Sequence, residues 1–187
     1  SGRLIQRPYE DGNDLAYYRE LYSENRESKI DSLKLLRPKY KTKSGRTVYG
    51  GGGITPDIYI PYKNTLNSET AKIIRSPKRP IFNFSSQYAS RYKNDYPQFN
   101  NFKKDWVVTN SMLQDFFVYL DSDSIKVQKD SIISSDSEFL KNRIKSELAG
   151  SIWGKNESTN IRLRFDNQVI EALKHFNEAD AFIQSSN

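Results

Sequence analysis

Gly50, Gly51, Gly52 and Gly53 stand in an unbroken run followed by Ile54, Thr55, Pro56 and Asp57, and this segment has the composition closest to a chemical motif. A glycine-rich loop can cradle a phosphate with its backbone N–H groups, but that chemistry needs a Lys-Ser/Thr pair directly after the glycines. The pair is missing here, so nucleotide binding is not expected. The other use of such a run is geometric. Glycine populates positive φ freely and has no Cβ to block a close approach. Pro56 fixes the exit and biases Thr55 toward an extended conformation, and Asp57 can accept a local backbone hydrogen bond. Thr47, Val48 and Tyr49 before the run and Ile58, Tyr59 and Ile60 after it are good strand formers. They predict a hairpin or strand junction rather than a flexible linker. Gly52 is expected at positive φ, where a β-branched residue such as valine would be strained.

Few other residues have the types or spacing for chemistry. Cysteine is absent, which excludes disulfides and thiol chemistry. His175 is the one histidine, beside Leu173 and Phe176, and reads as a helix-surface or boundary residue. A zinc site would have to be built from carboxylates, and none has the spacing. Asp121, Ser122, Asp123 and Ser124 hint at a calcium loop but lack its central glycine and terminal glutamate. They read as a solvated loop after a helix, so no metal and no cofactor are expected.

Two elements together resemble a known family. Gly51-Gly52-Gly53-Ile54-Thr55-Pro56-Asp57, preceded by Ser44-Gly45-Arg46, resembles the Gly-x-Gly-Ile-x-Pro-Asp signature near the end of the catalytic region of carboxyl-terminal processing (tail-specific) serine peptidases. The opening Ser1-Gly2-Arg3-Leu4-Ile5-Gln6 resembles the Ser-Gly-Arg-x-Ile-Gln stretch that follows the catalytic strand and lysine in that family. The order matches, and residues 10–43 resemble an insertion found between the two elements in members of the Bacteroidetes type. The resemblance covers about the first sixty residues. It implies a serine nucleophile in a Ser-Ala-x-Glu-type motif and a lysine base in a Gly-Lys-Gly-type motif, both upstream of Ser1, together with a PDZ domain that guides the substrate tail. Neither catalytic motif is in this chain, and a Ser-Lys dyad needs a lysine of lowered pKa within reach of the hydroxyl. The resemblance therefore implies the C-terminal, non-catalytic piece of a peptidase, inactive by itself. Arg3, Ile5, Gln6, Gly50, Gly51, Gly52, Gly53, Ile54, Pro56 and Asp57 would brace the active site rather than perform chemistry. It further implies an exported protein of the periplasm or cell envelope, although Ser1 opens without the basic and apolar leader of a signal peptide.

The 187 residues carry 29 Lys and Arg against 23 Asp and Glu, for a net charge of +6 and a pI near 9.3. Basic residues alternate with rings around Tyr88, Arg91, Tyr92, Lys93, Phe102, Lys103, Lys104 and Trp106, a pattern that could meet phosphates and stack on bases. Asp95, Asp105 and the acids from Asp121 interrupt it, and no nucleic-acid module signature is present. Nucleic acid is thus the weakest of the expected partners. Hydrophobic residues make up 36% and mean hydropathy is −0.78, so a modest core is expected, enlarged by 12 Tyr, 10 Phe and 2 Trp. No apolar stretch approaches the roughly 18 residues of a membrane span.

The elements that must position these groups change character near Tyr62. Residues 3–6 suit a short strand, and residues 15–22 a short helix capped by Asn13 or Asp14. Residues 37–43 are basic and lead into the strand before the glycines. Beyond Tyr62 helical periodicity takes over, broken at Ser-Pro, Arg-Pro and Tyr-Pro pairs. Ser111 with Gln114 suggests a capping box for a helix carrying Met112, Leu113, Phe116, Phe117 and Leu120. Ser135 with Glu138 suggests a second, with Leu140, Ile144, Leu148 and Ile152 at four-residue intervals. A last helix over 160–183 would carry Val169, Leu173, Phe176 and Ala179. The expectation is an α+β chain, with a peptidase-core remnant over 1–62 and a helical C-terminal domain over 63–187. Its expected partners are the upstream catalytic core and PDZ domain of the same polypeptide, protein or peptide substrates, and a second copy of the chain through the helical domain. The alternative is a stand-alone interaction module working through its tyrosine-rich surface, and after it a basic-aromatic nucleic-acid-binding domain.

Overall fold

A computed structural model describes residues 2–6, 15, 36–43, 45–53, 58–61 and 66–184, with the side chains of 182–184 outside that set. The helix expected over 15–22 and its cap fall outside the described residues except for Leu15, which is helical. The fold is α+β and mostly helical. It divides into two compact units, one of Ser1–Pro61 with Ala172–Asn187, the other of Tyr62–Glu171.

In the first unit, β1 (Lys39–Lys41) and β2 (Thr47–Tyr49) form an antiparallel pair with Tyr40 opposite Val48. The turn between them is closed by Thr42 N–H donating to the Arg46 carbonyl (2.9 Å) and Gly45 N–H donating to the Thr42 carbonyl (3.0 Å). The hairpin therefore lies one segment earlier than expected. Its turn is residues 42–46, not the glycine run, and residues 58–60 form no strand. The basic stretch expected to lead into a strand is itself a strand, because Tyr40 finds a cross-strand partner of good sheet propensity in Val48.

The second unit is built around α6 (Lys129–Ile152). Before it come α1 (Ser68–Arg75), α2 (Pro80–Ser86), α3 (Ala89–Asp95), α4 (Phe99–Asp105) and α5 (Asn110–Ser122). After it come α7 (Lys155–Arg162), a 3-10 turn over Leu163–Phe165, and the start of α8 (Asn167–Lys174), whose residues from Ala172 on are counted with the first unit. α6 packs against α2, α7, α1 and α3. Its Ile132, Leu140, Ile144 and Leu148 are fully buried, and so are Phe116 and Leu120 of α5. Burying each such side chain stabilises the fold by about 1.5–3 kcal/mol. Aromatic rings fill the space between the short helices. Phe102 stacks on Trp106 at 4.8 Å between centroids, and Phe84 meets Phe116 at 5.1 Å. At the α6/α7 contact, Ser146 Oγ donates to the Ser158 carbonyl at 3.1 Å.

The helix starts differ from the sequence expectation for a definite reason. α5 is capped by Thr109, whose Oγ1 accepts the Met112 N–H at 3.1 Å, and Ser111 is already inside the helix. α6 begins six residues before Ser135. The hydroxyls of Ser134 and Ser135 donate back to the Ser131 carbonyl (3.0 and 2.8 Å) instead of capping. The single last helix is broken into α7, the 3-10 turn, α8 and α9 (Phe176–Gln184). Asp166 stops and restarts it, since its Oδ1 accepts the N–H of Gln168 (2.9 Å) and Val169 (3.1 Å), the work of an N-cap. Leu173 and Phe176, expected on a buried stripe, are 59% and 60% exposed.

Two polar groups fasten the start of α1 to α6. Asn67 caps α1 through Oδ1 to Glu69 N–H, while its own N–H donates to Asp136 Oδ2 (2.9 Å) and its Nδ2 to Ser131 Oγ (2.7 Å). Glu69 accepts from Lys72 Nζ (2.5 Å) and from the N–H of Gln128, the cap residue of α6 (3.0 Å). Asn67→Ala is expected to destabilise the protein by about 1–2 kcal/mol in urea unfolding, the cost of losing a cap with its added tethers. The Lys72 hydrogen bond and then the Gln128 amide hold the Glu69 carboxyl below its usual 4.5, with desolvation opposing them. The unfolded chain therefore binds this proton more readily than the folded one. Glu69 should stabilise the fold above pH 4.5 and lose that effect as pH falls through the lowered folded-state value. Unfolding curves of wild type and Glu69→Gln should accordingly differ at neutral pH and converge in acid.

Candidate functional site

The chain leaves β2 directly into the glycine run, and the run is held by backbone hydrogen bonds to two other segments. Gly50 N–H donates to the Pro38 carbonyl at 3.0 Å, which prolongs the hairpin ladder by one step. Gly51 N–H then donates to the Leu4 carbonyl at 2.8 Å and Gly53 N–H to the Ile5 carbonyl at 2.7 Å. Arg3 closes the arrangement with an Nη1 donation to the Tyr49 carbonyl at 3.3 Å. Residues 3–6, expected as a strand, are instead an irregular segment joined to the glycines by these bonds.

The reason for glycine differs along the run. Gly51 and Gly53 sit at φ of +69° and +79°, in the left-handed region. Gly52 does not, which corrects the expectation of positive φ there. A Cβ on Gly52 would instead fall onto the guanidinium of Arg37, which covers the glycine backbone. A Cβ on Gly50 would lie 2.8 Å from Tyr40 Cε2 and 3.3 Å from the Leu4 carbonyl. Arg37 and Tyr40, which sequence reading passed over as part of a basic lead-in, are thus the side chains that shape the run. Tyr40 lies on β1, and Arg37 two residues before that strand.

Of the ten residues expected to brace a site, the structure brings together Arg3, Ile5, Gly50, Gly51, Gly52 and Gly53, with Gln6 following as an exposed bend residue. Ile54, Pro56 and Asp57 lie outside the described residues. As arranged, the N–H groups of Gly50, Gly51 and Gly53 are spent on carbonyls, so they are not presented to a phosphate.

Elsewhere the chemistry-bearing groups are engaged structurally. Burial, reinforced by the charge of Arg164, lowers the pKa of Lys145, but no serine accepts from it. Its Nζ donates to the carbonyls of Lys103 (2.9 Å) and Trp106, closing the C-terminal end of α4. Asp121 pairs with Lys129 at 2.5 Å, and the Asp123 carbonyl accepts from Lys78 Nζ at 2.6 Å. No group of three or more His, Cys, Asp or Glu among the described residues could hold a metal. His175 Nδ1 lies 3.1 Å from Glu178 Oε1 at the start of α9. In the basic-aromatic run, Phe102 and Trp106 are core residues, and Tyr88 and Tyr92 pack against that core. No helix among the described residues is long and apolar enough to cross a membrane.

Residues 76–154, which run from the end of α1 to just past α6, match a family described as Family of unknown function (DUF8443). No curated protein and no solved structure matches the chain.

If the hydrogen bonds define this junction, the amides of Gly51 and Gly53 should exchange slowly with solvent. Gly52→Ala should speed their exchange by about tenfold or more as Arg37 is displaced, equivalent to about 1.4 kcal/mol of local opening free energy. Hydrogen exchange read by NMR gives the answer, and the amides of α6 should keep their protection.

Proposed function

We propose that this chain is the non-catalytic C-terminal portion of a serine-type carboxyl-terminal processing peptidase, and that its first sixty residues brace a Ser-Lys active site supplied upstream. One observation carries the reading. The two segments that resemble the family's paired elements, far apart in sequence, are joined by the hydrogen bonds from Gly51 and Gly53 to Leu4 and Ile5. Leu4 and Ile5 are 69% and 43% exposed beside that paired backbone, as expected if further elements of a catalytic core cover them. In this reading the nucleophile, the lysine base and the PDZ domain belong to the preceding part of the same polypeptide. The substrates are protein or peptide tails, and the setting is the periplasm or cell envelope. The chain by itself has no peptidase activity. The helical unit serves as a platform, for a second copy or for docking substrate.

The first test is the coding DNA upstream of Ser1. An in-frame Ser-Ala-x-Glu-type motif followed by a Gly-Lys-Gly-type motif is expected, and a start codon just before Ser1 would replace this reading with a stand-alone interaction module. The second is a peptidase assay on the full-length product. Gly52→Val should lower kcat/KM by about tenfold or more, since a small displacement far from the reacting atoms misplaces the catalytic groups. Unchanged activity would show that the glycine run does not brace the site.

A further inference from the structure

The helical unit contains a cleft of about 510 Å³, within the usual range for small-molecule sites. Ile74 of α1, Phe139, Asn142 and Arg143 of α6, Arg162 at the end of α7 and Phe165 of the 3-10 turn line it. Its polar donors lack matching acceptors. Asn142 is 8% exposed, and its carboxamide makes no hydrogen bond among the described residues. Arg143 buries its Nε without a partner among the described residues, and its ion pair there, Nη2 to Glu147 Oε1, is 3.3 Å long. Arg162 donates only to Thr159 Oγ1, at 3.4 Å, and forms no ion pair among the described residues. Burial lowers the Arg143 pKa, Glu147 opposes that, and the nearby charge of Arg162 lowers it further.

Two acids, Asp136 and Asp166, line the same cleft, each with one oxygen held by backbone N–H groups. Asp136 Oδ2 accepts the Asn67 N–H, and Asp166 Oδ1 accepts two N–H groups at the start of α8. The donors left over on this lining are the guanidinium groups of Arg143 and Arg162 and the Asn142 amide, next to walls of Ile74, Phe139 and Phe165 that suit an apolar body. A planar guanidinium fork matches a carboxylate better than any other common anion except phosphate. Phosphate has no use for the aromatic walls.

We propose that this cleft binds an organic carboxylate with an apolar body, gripped by Arg143 and Arg162, with the Asn142 amide as a further donor and Phe139 and Phe165 covering the apolar part. The proposal does not depend on the peptidase reading and can hold or fail without it. The carboxylate could be that of a small aromatic or aliphatic acid or the free end of a peptide, since the recognition chemistry is shared.

The test is an NMR titration of the full 187-residue chain at low salt with phenylacetate, phenylacetamide, and N-acetyl-Leu-Phe as free acid and as amide. Saturating shifts are expected for backbone amides around Phe139 to Arg143 and Arg162 to Phe165 with the acids. The matching amides should bind about tenfold or more weakly, having lost the charge-assisted pair. Tighter binding of the peptide acid than of phenylacetate would point to a peptide end, and the reverse order to a small acid; either supports the site. Arg143→Lys should weaken the acids by keeping the charge but losing the fork. Because Arg143 is partly buried and that variant can fail to fold, the exposed Arg162→Gln serves as the second variant, expected to keep the spectrum and lose about fivefold or more in affinity. Equal binding of acid and amide, shifts that never saturate, or undiminished affinity in Arg162→Gln would each overturn the proposal.

Discussion

The helical unit is organised by the need of one 24-residue helix, α6, to bury polar as well as apolar groups. Ile132, Leu140, Ile144 and Leu148 recur at multiples of four residues and give it a core face. Asp136, in the same four-residue series, is buried too, as are Asn142 and Ser146, which lie off that row. A helix packed on more than one side must find hydrogen-bond partners for such residues, because an unmatched buried polar group costs about 1–3 kcal/mol. Asp136 takes the backbone N–H of Asn67, which places the start of α1. Ser146 meets both the carbonyl and the hydroxyl of Ser158 (3.1 and 2.9 Å), which places α7. Gly150 lets the same helix approach closely, since a Cβ there would be 3.2 Å from that of Ser158. The Nε of Arg143 is left without a partner among the described residues, and Arg143 and Asn142 both line one cleft.

This constraint explains which parts of the fold were legible beforehand. The apolar stripe of α5 at Met112, Leu113, Phe116, Phe117 and Leu120 is buried as periodicity predicts, and so are Leu140, Ile144 and Leu148. Periodicity reports burial against one neighbour. It is silent about polar residues buried against a second, as Asn142 and Ser146 are. Helix ends were harder, because serine, threonine and aspartate can cap or bond back to a carbonyl, and local pattern does not separate the two. Thr109 and Asp166 cap, whereas Ser134 and Ser135 turn back onto Ser131.

The glycine run illustrates the same limit at a candidate site. Its alternating strand formers correctly marked β2, but strand pairing is a relation between segments, and β2 pairs backward with β1 rather than forward across the glycines. Gly51 and Gly53 meet the expected need for positive φ. Gly52 meets a different one, clearance for the Arg37 guanidinium, that only the tertiary arrangement could reveal.

The two units are also held by different physics, and their response to substitution should differ in kind. Among the described residues of the unit of Ser1–Pro61 with Ala172–Asn187, Val48 is the one buried hydrophobic side chain, and the hairpin and the glycine run are joined by directional backbone bonds. Such bonds contribute about 1 kcal/mol each and are lost by small displacements, because their strength falls steeply with angle. The unit of Tyr62–Glu171 rests on ring and aliphatic packing around α6, where the loss of one contact is shared among many neighbours. A segment stabilised mainly by exposed backbone pairing opens at lower free energy than a packed core.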